Sequence, residues 1–476
     1  MSELISATTA CTTAAQPRHW LKRAALWAVP LLALGALLLL RSQGAKPEFA
    51  WTCAVLVWVA LWWLFEPIPA PVTALLPLAL LPAAGVITPK QAAEAFGNEL
   101  ILLMAGGFMM ALALERNGAH RRLALGMVHL FGGRSGRSLV FGFIAATGFT
   151  SMWIANTAAT LMMLPVAMAI LQGYPDPRLR APLILAIAYA ASIGGWGTPI
   201  GTPPNLVFMQ VYEQTTGRRM GFGEWMQFGV PIVLIFLPIL GFWLTRHLKD
   251  SAPAVLPAMG PWTIAERRVI AIFACVVFAW VFRAWPFGGW SGLIGLSTVN
   301  DASISLGGVV LMCLIPNGRG QALLDWETAE RIPWGALVLF AGGIALATAF
   351  QTSGLGDRIA QTLGGLNQLP AWLLILCVCL GVTLLSEITS NTATAVLLMP
   401  ILAATAVAAG IEPALLMVPA VLAASCGFML PVATAPNLIA YGTGQVPLER
   451  MIREGAALDI IGVLVLSGVC WVVLAP

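Results

Sequence analysis

Ser386-Glu387-Ile388-Thr389-Ser390-Asn391-Thr392-Ala393-Thr394 is a polar island inside an apolar run from about Ala371 to Gly410. A matching island, Ser151-Met152-Trp153-Ile154-Ala155-Asn156-Thr157-Ala158-Ala159, lies 235 positions earlier in an equally apolar run. Polar groups at membrane depth must find partners inside the protein. Two matched islands point to one binding site built where two repeats meet.

The rest of the chain is consistent with membrane depth. Of its 476 residues 59% are hydrophobic and 10% charged, with a mean hydropathy of +0.86. Soluble domains carry about 25% charged residues, so the chain reads as an integral membrane protein. Apolar runs of helical length, without alternating segments of about ten residues, favour an all-α bundle over a barrel. A net charge of +4 is too small to suggest nucleic-acid binding. The eight Cys and four His form no metal-ligand spacing, and Gly132–Ser138 is Gly-rich without the Gly-Lys-Ser/Thr of a P-loop.

Residues 1–17 read as a small polar tail. Arg18, Lys22 and Arg23 precede a first apolar helix, Ala24–Leu40, longer than the core of a signal peptide. Further spans fall near 50–65, 71–87, 98–114, 182–211, 226–245, 268–283, 303–315, 334–352, 414–442 and 455–475. The runs 138–172 and 371–409 behave differently. A single helix of ~35 residues would be ~52 Å long, whereas an arm of ~14 residues reaches only ~21 Å of a ~30 Å hydrocarbon core. Arg134, Arg137, Arg178 and Arg180 flank the first run, so both its ends belong in the cytoplasm. A re-entrant hairpin satisfies both constraints. The second run has almost no flanking positive charge and is expected to enter from the opposite side. Loop charge over eleven spans and two hairpins predicts a cytoplasmic N-terminus and an outside C-terminus; Arg218-Arg219 is the nonconforming pair.

The repeat extends beyond the islands. Ala105–Ala113 resembles Ala341–Ala347, and Gly201-Thr202-Pro203-Pro204-Asn205 resembles Ala433-Thr434-Ala435-Pro436-Asn437. Five intervening spans, an odd number, give the copies opposite orientation, an inverted repeat. The expected organisation is a tail at 1–23, N-terminal scaffold spans at 24–65, repeat 1 at 66–245, a connecting loop and span at 246–302, and repeat 2 at 303–476.

Pro removes an amide donor and breaks a helix, freeing carbonyls that protein, water or an ion must satisfy. Such carbonyls with Ser, Thr and Asn oxygens suit a hard monovalent cation, and the N-termini of the half-helices favour an anion. No Lys or Arg occurs in 138–172, 182–211, 371–409 or 414–448. An anion bound there would need helix dipoles and co-bound cations, since one unpaired charge at mid-membrane costs at least ~2.5–3.5 kcal/mol. Singly, any of these Ser or Thr residues is best read as packing; paired islands inside paired Pro-broken elements are not. Glu387 is either functional or a cap of the tip. Glu66 in Phe65-Glu66-Pro67-Ile68-Pro69 reads as structural, at an inside membrane edge. A nucleophile–base pair is missing from the runs, so an enzyme is not expected.

At these motifs the chain resembles the divalent anion/sodium symporter family of dicarboxylate carriers. The resemblance is carried by Glu66–Thr73, the two Asn-Thr islands, Gly197–Asn205, Ile332–Gly335 and Met429–Asn437. It implies a homodimer in which each protomer has a scaffold domain and an elevator-type transport domain. It also implies substrate contacts at Asn156, Thr157, Asn391 and Thr392, with Thr202 and Thr434 close by. One sodium site would use Ser151, Asn156 and the backbone at Gly201; the other would use Ser386, Ser390, Asn391 and the backbone at Ala433. Two departures stand out: Ala155 occupies a position where the family commonly has Ser, and Ala435 one where it commonly has Pro.

The sequence therefore predicts a multi-pass transporter of the inner (cytoplasmic) membrane. Its expected activity is symport of sodium ions with C4 dicarboxylates such as succinate, malate or fumarate, with no further cofactor. Sodium-independent exchange, or another divalent anion such as sulfate, citrate or 2-oxoglutarate, are the alternatives.

Overall fold

The computed structural model describes residues 16–133, 135–248, 253, 256, 259–284, 288–296, 298–356, 358 and 370–474. The first fifteen residues, Arg134 and Lys249, which entered the reading of loop charge, lie outside the described residues.

The described chain is a succession of helices: α1 Gln16–Ser42, α2 Pro47–Phe65, α3 Leu75–Ala83, α4 Pro89–Phe96, α5 Glu99–Arg116, α6 Ala119–Phe131, α7 Gly136–Ser151, α8 Asn156–Gly173, α9 Arg180–Gly194, α10 Pro203–Thr216, α11 Phe222–Thr245, α12 Ile264–Val281, α13 Asp301–Leu314, α14 Trp334–Thr352, α15 Ala371–Ser386, α16 Asn391–Ala408, α17 Pro413–Ala423, α18 Ala435–Gly442 and α19 Leu448–Leu474. Among the described residues nine helical stretches are long and apolar enough to cross a membrane, and further apolar helices are shorter. Large apolar side chains point outward, with Leu31, Phe242, Leu314 and Val472 at 68%, 68%, 72% and 80% exposure. Such a surface is at home only against lipid tails.

The helices follow the apolar runs, with three informative differences. Helix α1 starts at Gln16, before the apolar run. The Trp62 indole donates to Ala25 O (3.1 Å), fastening α1 to α2. Helix α6 is an amphipathic piece inside what read as a loop, with Ala119, Ala124, Leu125 and Val128 buried; its mixed composition hides it from a search for apolar runs. Each hairpin arm is also longer than expected. Arms of 16 and 18 residues reach ~24 and ~27 Å, and the 18-residue arms α8 and α16 are themselves among the nine stretches long enough to cross. The nonconforming Arg218-Arg219 pair is held by carboxylates: Arg218 lies 3.4 Å from Glu224, and Arg219 is 3.1 Å from Glu99 and 3.0 Å from Glu213.

Helices α7 and α8 form one hairpin and α15 and α16 the other, and each second arm carries an internal Pro at a corresponding place, Pro165 and Pro400. The halves interlock. Helix α10, which follows the first break, packs on the hairpin arm α16; α18, which follows the second, packs on α8. Helix α9 lies at the centre, with 94% of its span buried. The helix after each break is thereby packed on the other half's hairpin.

Candidate functional site

The first break begins where α9 ends at Gly194. One turn of 3-10 helix, Gly195–Gly197, leads into a turn closed by Gly201 N donating to Thr198 O (3.3 Å), and α10 restarts at Pro203. Pro at the first helical position has its φ set for the helix and gives up a donor that would be unpaired there anyway. The freed carbonyls go to Asn205, whose Nδ2 donates to Gly195 O (2.9 Å) and Thr198 O (2.8 Å). In the second break Asn437 Nδ2 donates to Gly427 O (2.8 Å) and Leu430 O (3.1 Å). The sequence separations, ten and seven residues, are the same in both.

The tips are tied to the breaks in matching ways. Ser151 Oγ lies 2.7 Å from both Asn156 Oδ1 and Ala191 O. Ser386 Oγ lies 3.0 Å from Asn391 Oδ1 and is also bonded to Ala424 O. One hydroxyl has one proton, so two acceptors around it leave an oxygen-rich cluster. At the first tip Gly201 O adds a further oxygen, 3.3 Å from the same end of the Asn156 amide. An amide nitrogen in that position donates to its oxygen neighbours. An amide oxygen there makes a cage of oxygens, the ligand set of a hard cation.

Both unwound segments are also clasped from behind. Gly229 of α11 sits against Trp196 O and Gly455 of α19 against Phe428 O, each so closely that a Cβ has no room. Here the halves diverge. Trp196 O accepts from the Trp225 indole (2.8 Å), and Thr198 Oγ1 donates to Met152 O (2.5 Å). In the second half Glu387 occupies the position of Met152. Its Oε1 accepts from Met429 N (2.8 Å) and its Oε2 from Leu430 N (2.9 Å). Asp459 Oδ1 accepts from Phe428 N (3.3 Å). Three consecutive amides are thus held by two buried carboxyl groups. The sequence read Glu387 as either functional or a cap of the tip; its partners here are amides of the break and not of the tip. Sequence reading missed Asp459. Its signal was available: it is an ionisable residue within the apolar last helix.

One cavity of about 790 Å³ joins these parts, a size suited to a small-molecule ligand. Asn156, Thr157, Thr202, Asn391, Thr392 and Thr434 all line it, as do Gly201, Ser390 and Ala433. Ser151 and Ser386 are fully buried behind their Asn partners. Four helix N-termini meet here, those of α8, α10, α16 and α18. Three have no side-chain cap, and only Thr434 bonds its own helix, accepting from Asn437 N at 3.3 Å. Because α10 opens on Pro203-Pro204, which carry no N–H, and Asn205 N bonds Thr202 O (3.2 Å), the uncapped amides at the cavity are those of α8 and α16, and such donors suit an anion. The tips and breaks bring no cation; the charged lining residues are Lys22 and Glu66, at the mouth.

Known proteins agree with this picture. The citrate transporter family matches residues 60–418. A sodium-dependent dicarboxylate transporter, SdcS, of Staphylococcus saprophyticus is 36% identical over 472 residues, covering 94% of this chain and 90% of its own. The Staphylococcus aureus protein of the same name is 36% identical over 470 residues, with the same shares covered. Two solved structures share the fold at low identity. The YdaH transporter of Alcanivorax borkumensis has a TM-score of 0.57 at 17% identity, over 82% of this chain and 87% of that one. MtrF of Neisseria gonorrhoeae has a TM-score of 0.56 at 16% identity, over 83% and 85%. The chain belongs to the citrate transporter family of membrane carriers, among the divalent anion/sodium symporters that its motifs resemble.

Proposed function

We propose that this carrier couples sodium ions to the uptake of C4 dicarboxylates such as succinate, malate or fumarate. The observation that carries the reading is the pairing of an oxygen cluster with an uncapped helix N-terminus at each tip, all in one cavity. In this reading Asn156, Thr157, Asn391 and Thr392 hold the two carboxylates, with Thr202 and Thr434 beside them. Sodium is held on one side by Ser151, Asn156 and the Gly201 carbonyl, and on the other by Ser386, Ser390, Asn391 and the Ala433 backbone. Neutral hydroxyls and amides alone pay poorly for a dianion taken from water, so the cations belong beside it. The relatives named for sodium-dependent dicarboxylate transport support the same assignment.

The mouth of the cavity is formed by Leu21 and Lys22 of α1, Leu64 and Phe65 of α2, Glu66, and Pro333 before α14. Loop charge assigns these ends to the cytoplasm, so the conformation described is inward-facing. Alternating access then consists of moving both tips and both breaks as one elevator body past the scaffold, in a homodimer of the inner membrane with the N-terminus in the cytoplasm and the C-terminus outside. The observation favouring the rival reading, sodium-independent exchange, is Ala155, which leaves the first tip one hydroxyl short.

Uptake of labelled succinate into proteoliposomes tests this directly. Symport gives accumulation driven by an inward sodium gradient. Uptake that ignores sodium and requires internal dicarboxylate sinks the symport reading in favour of exchange, and failure of succinate, malate and fumarate alike sinks the substrate class.

A further inference from the structure

The binding cavity is continuous in its lining with a second hollow of about 470 Å³, and Lys22 and Glu66 line both. Arg23 lines the outer hollow, whose other wall is the Pro67–Ala70 segment. Lys22 and Arg23 are exposed, and among the described residues neither has a carboxylate within ion-pair distance. Deeper in, the tips and breaks offer no cation at all. From the rim inward, the two residues are therefore the fixed positive charges on the wall past which an anion enters or leaves.

The opposite wall is built with equal definition. Glu66 ends α2 in the left-handed conformation (φ 46°, ψ 53°), where it is the single non-glycine residue with positive φ among the described residues. That backbone is strained for a residue with a Cβ, and it is pinned by Glu66 N donating to Trp62 O (2.8 Å). Glu66 lines the same hollow as the two cations. Two positive charges attract a dianion in a low-dielectric funnel. One negative charge across from them keeps the well shallow, and a ligand that must move on needs a site it can leave.

We propose that Lys22 and Arg23 form an outer capture site for the dicarboxylate, which gathers the dianion at the inner mouth before the tips bind it. This rests on the reading of the substrate as a dicarboxylate. The site acts on the encounter: it raises the association rate through long-range attraction, and its contribution fades as salt screens it over a Debye length of about 10 Å at 0.1 M.

Stopped-flow tryptophan fluorescence of the purified full-length protein in detergent, with succinate as the probe at fixed saturating sodium, measures both rates. Ionic strength is varied with choline chloride. The expected result is that K22Q/R23Q associates about tenfold more slowly at low ionic strength, the lower end of what focused fields supply. Its dissociation rate stays unchanged, and the difference closes at high salt. The charge-conserving K22R/R23K behaves as wild type, which separates charge from disturbed packing of α1. Equal association rates at low salt, or a deficit indifferent to salt, overturn the capture site alone. A wild-type protein that responds to sodium but never to succinate, malate or fumarate overturns the dicarboxylate reading beneath it, and the capture site with it.

Discussion

Asn205 and Asn437 do the same job in opposite halves of the molecule: each amide nitrogen holds the carbonyls ten and seven residues before it. Both are fully buried, and both keep an Oδ1 that meets no donor. They are the staples that keep two broken helices broken in a defined shape.

Replacing either staple by Ala strands two buried carbonyls, at about 1–3 kcal/mol for each group left unpaired. Asn205→Ala and Asn437→Ala are therefore expected to lower the midpoint of thermal unfolding in detergent to a similar extent and to abolish uptake. Asn437→Asp should be worse than Asn437→Ala, because it turns a carboxylate oxygen towards two carbonyls. An Asp variant as stable as wild type would contradict the role of the amide protons.

Glu387 offers a second test. Glu387→Gln keeps one oxygen to accept an amide but turns a nitrogen towards the other. The loss of a bond to a charged group costs about 1.5–3 kcal/mol. The variant also replaces the carboxyl group next to Ser386 with a neutral amide. The expected outcome is a folded protein with a lower unfolding midpoint and a raised sodium concentration for half-maximal uptake. Met152→Leu, at the corresponding place in the first half, should leave sodium dependence unchanged. If both variants keep wild-type sodium curves, the carboxylate has no bearing on the second cation.

How far the sequence revealed these features depends on the kind of signal. Apolar runs have a strong period-independent signal, so the long helices fall where hydropathy puts them. Paired polar islands and Pro-Asn motifs stand out against such runs, which is why the lining of the cavity could be read from residue types. Helix α6 could not, because an amphipathic helix lying outside the spans looks like a charged loop. The partners of Glu387 were hidden for a different reason. They are backbone amides 42 and 43 residues away, and a backbone donor leaves no trace in residue identity. Lys22 read as a topology signal, and only the packing of α1 against α2 brings it to the cavity mouth.

The loop between α13 and α14 gives a pH prediction. Asp325 accepts from Thr328 N (2.9 Å) and pairs with Arg116 at the end of α5. The hydrogen bonding from Thr328, followed by Arg116, holds its carboxyl down at about 2 from an ordinary 3.8. A depressed carboxyl stabilises the fold fully above its unfolded value and loses that contribution as pH falls through its folded value. Asp325→Asn should therefore lower the unfolding midpoint slightly at neutral pH, with the difference from wild type shrinking between about 3.8 and about 2. A difference that persists in acid would mean that the side chain acts by packing.

The inequality of the tips leads to the sharpest functional prediction. Ala155 and Ser390 occupy the same position before α8 and α16, with nearly the same backbone (φ −54°, ψ 138° and φ −71°, ψ 133°). A Ser fits at 155 without strain. Ser390 makes no side-chain bond to its own helix, so its hydroxyl is free for a ligand, and its removal should not carry the usual N-cap penalty of about 0.5–2 kcal/mol. Ser390→Ala is therefore expected to leave the unfolding midpoint near wild type while raising the sodium needed for half-maximal uptake. Ala155→Ser should do the reverse, adding an oxygen at the first tip and lowering the sodium requirement. Sodium titrations of uptake for both variants decide the matter. If Ser390→Ala loses stability but not sodium affinity, the hydroxyl is a structural cap; if Ala155→Ser leaves the sodium curve untouched, the missing hydroxyl does not weaken the first site.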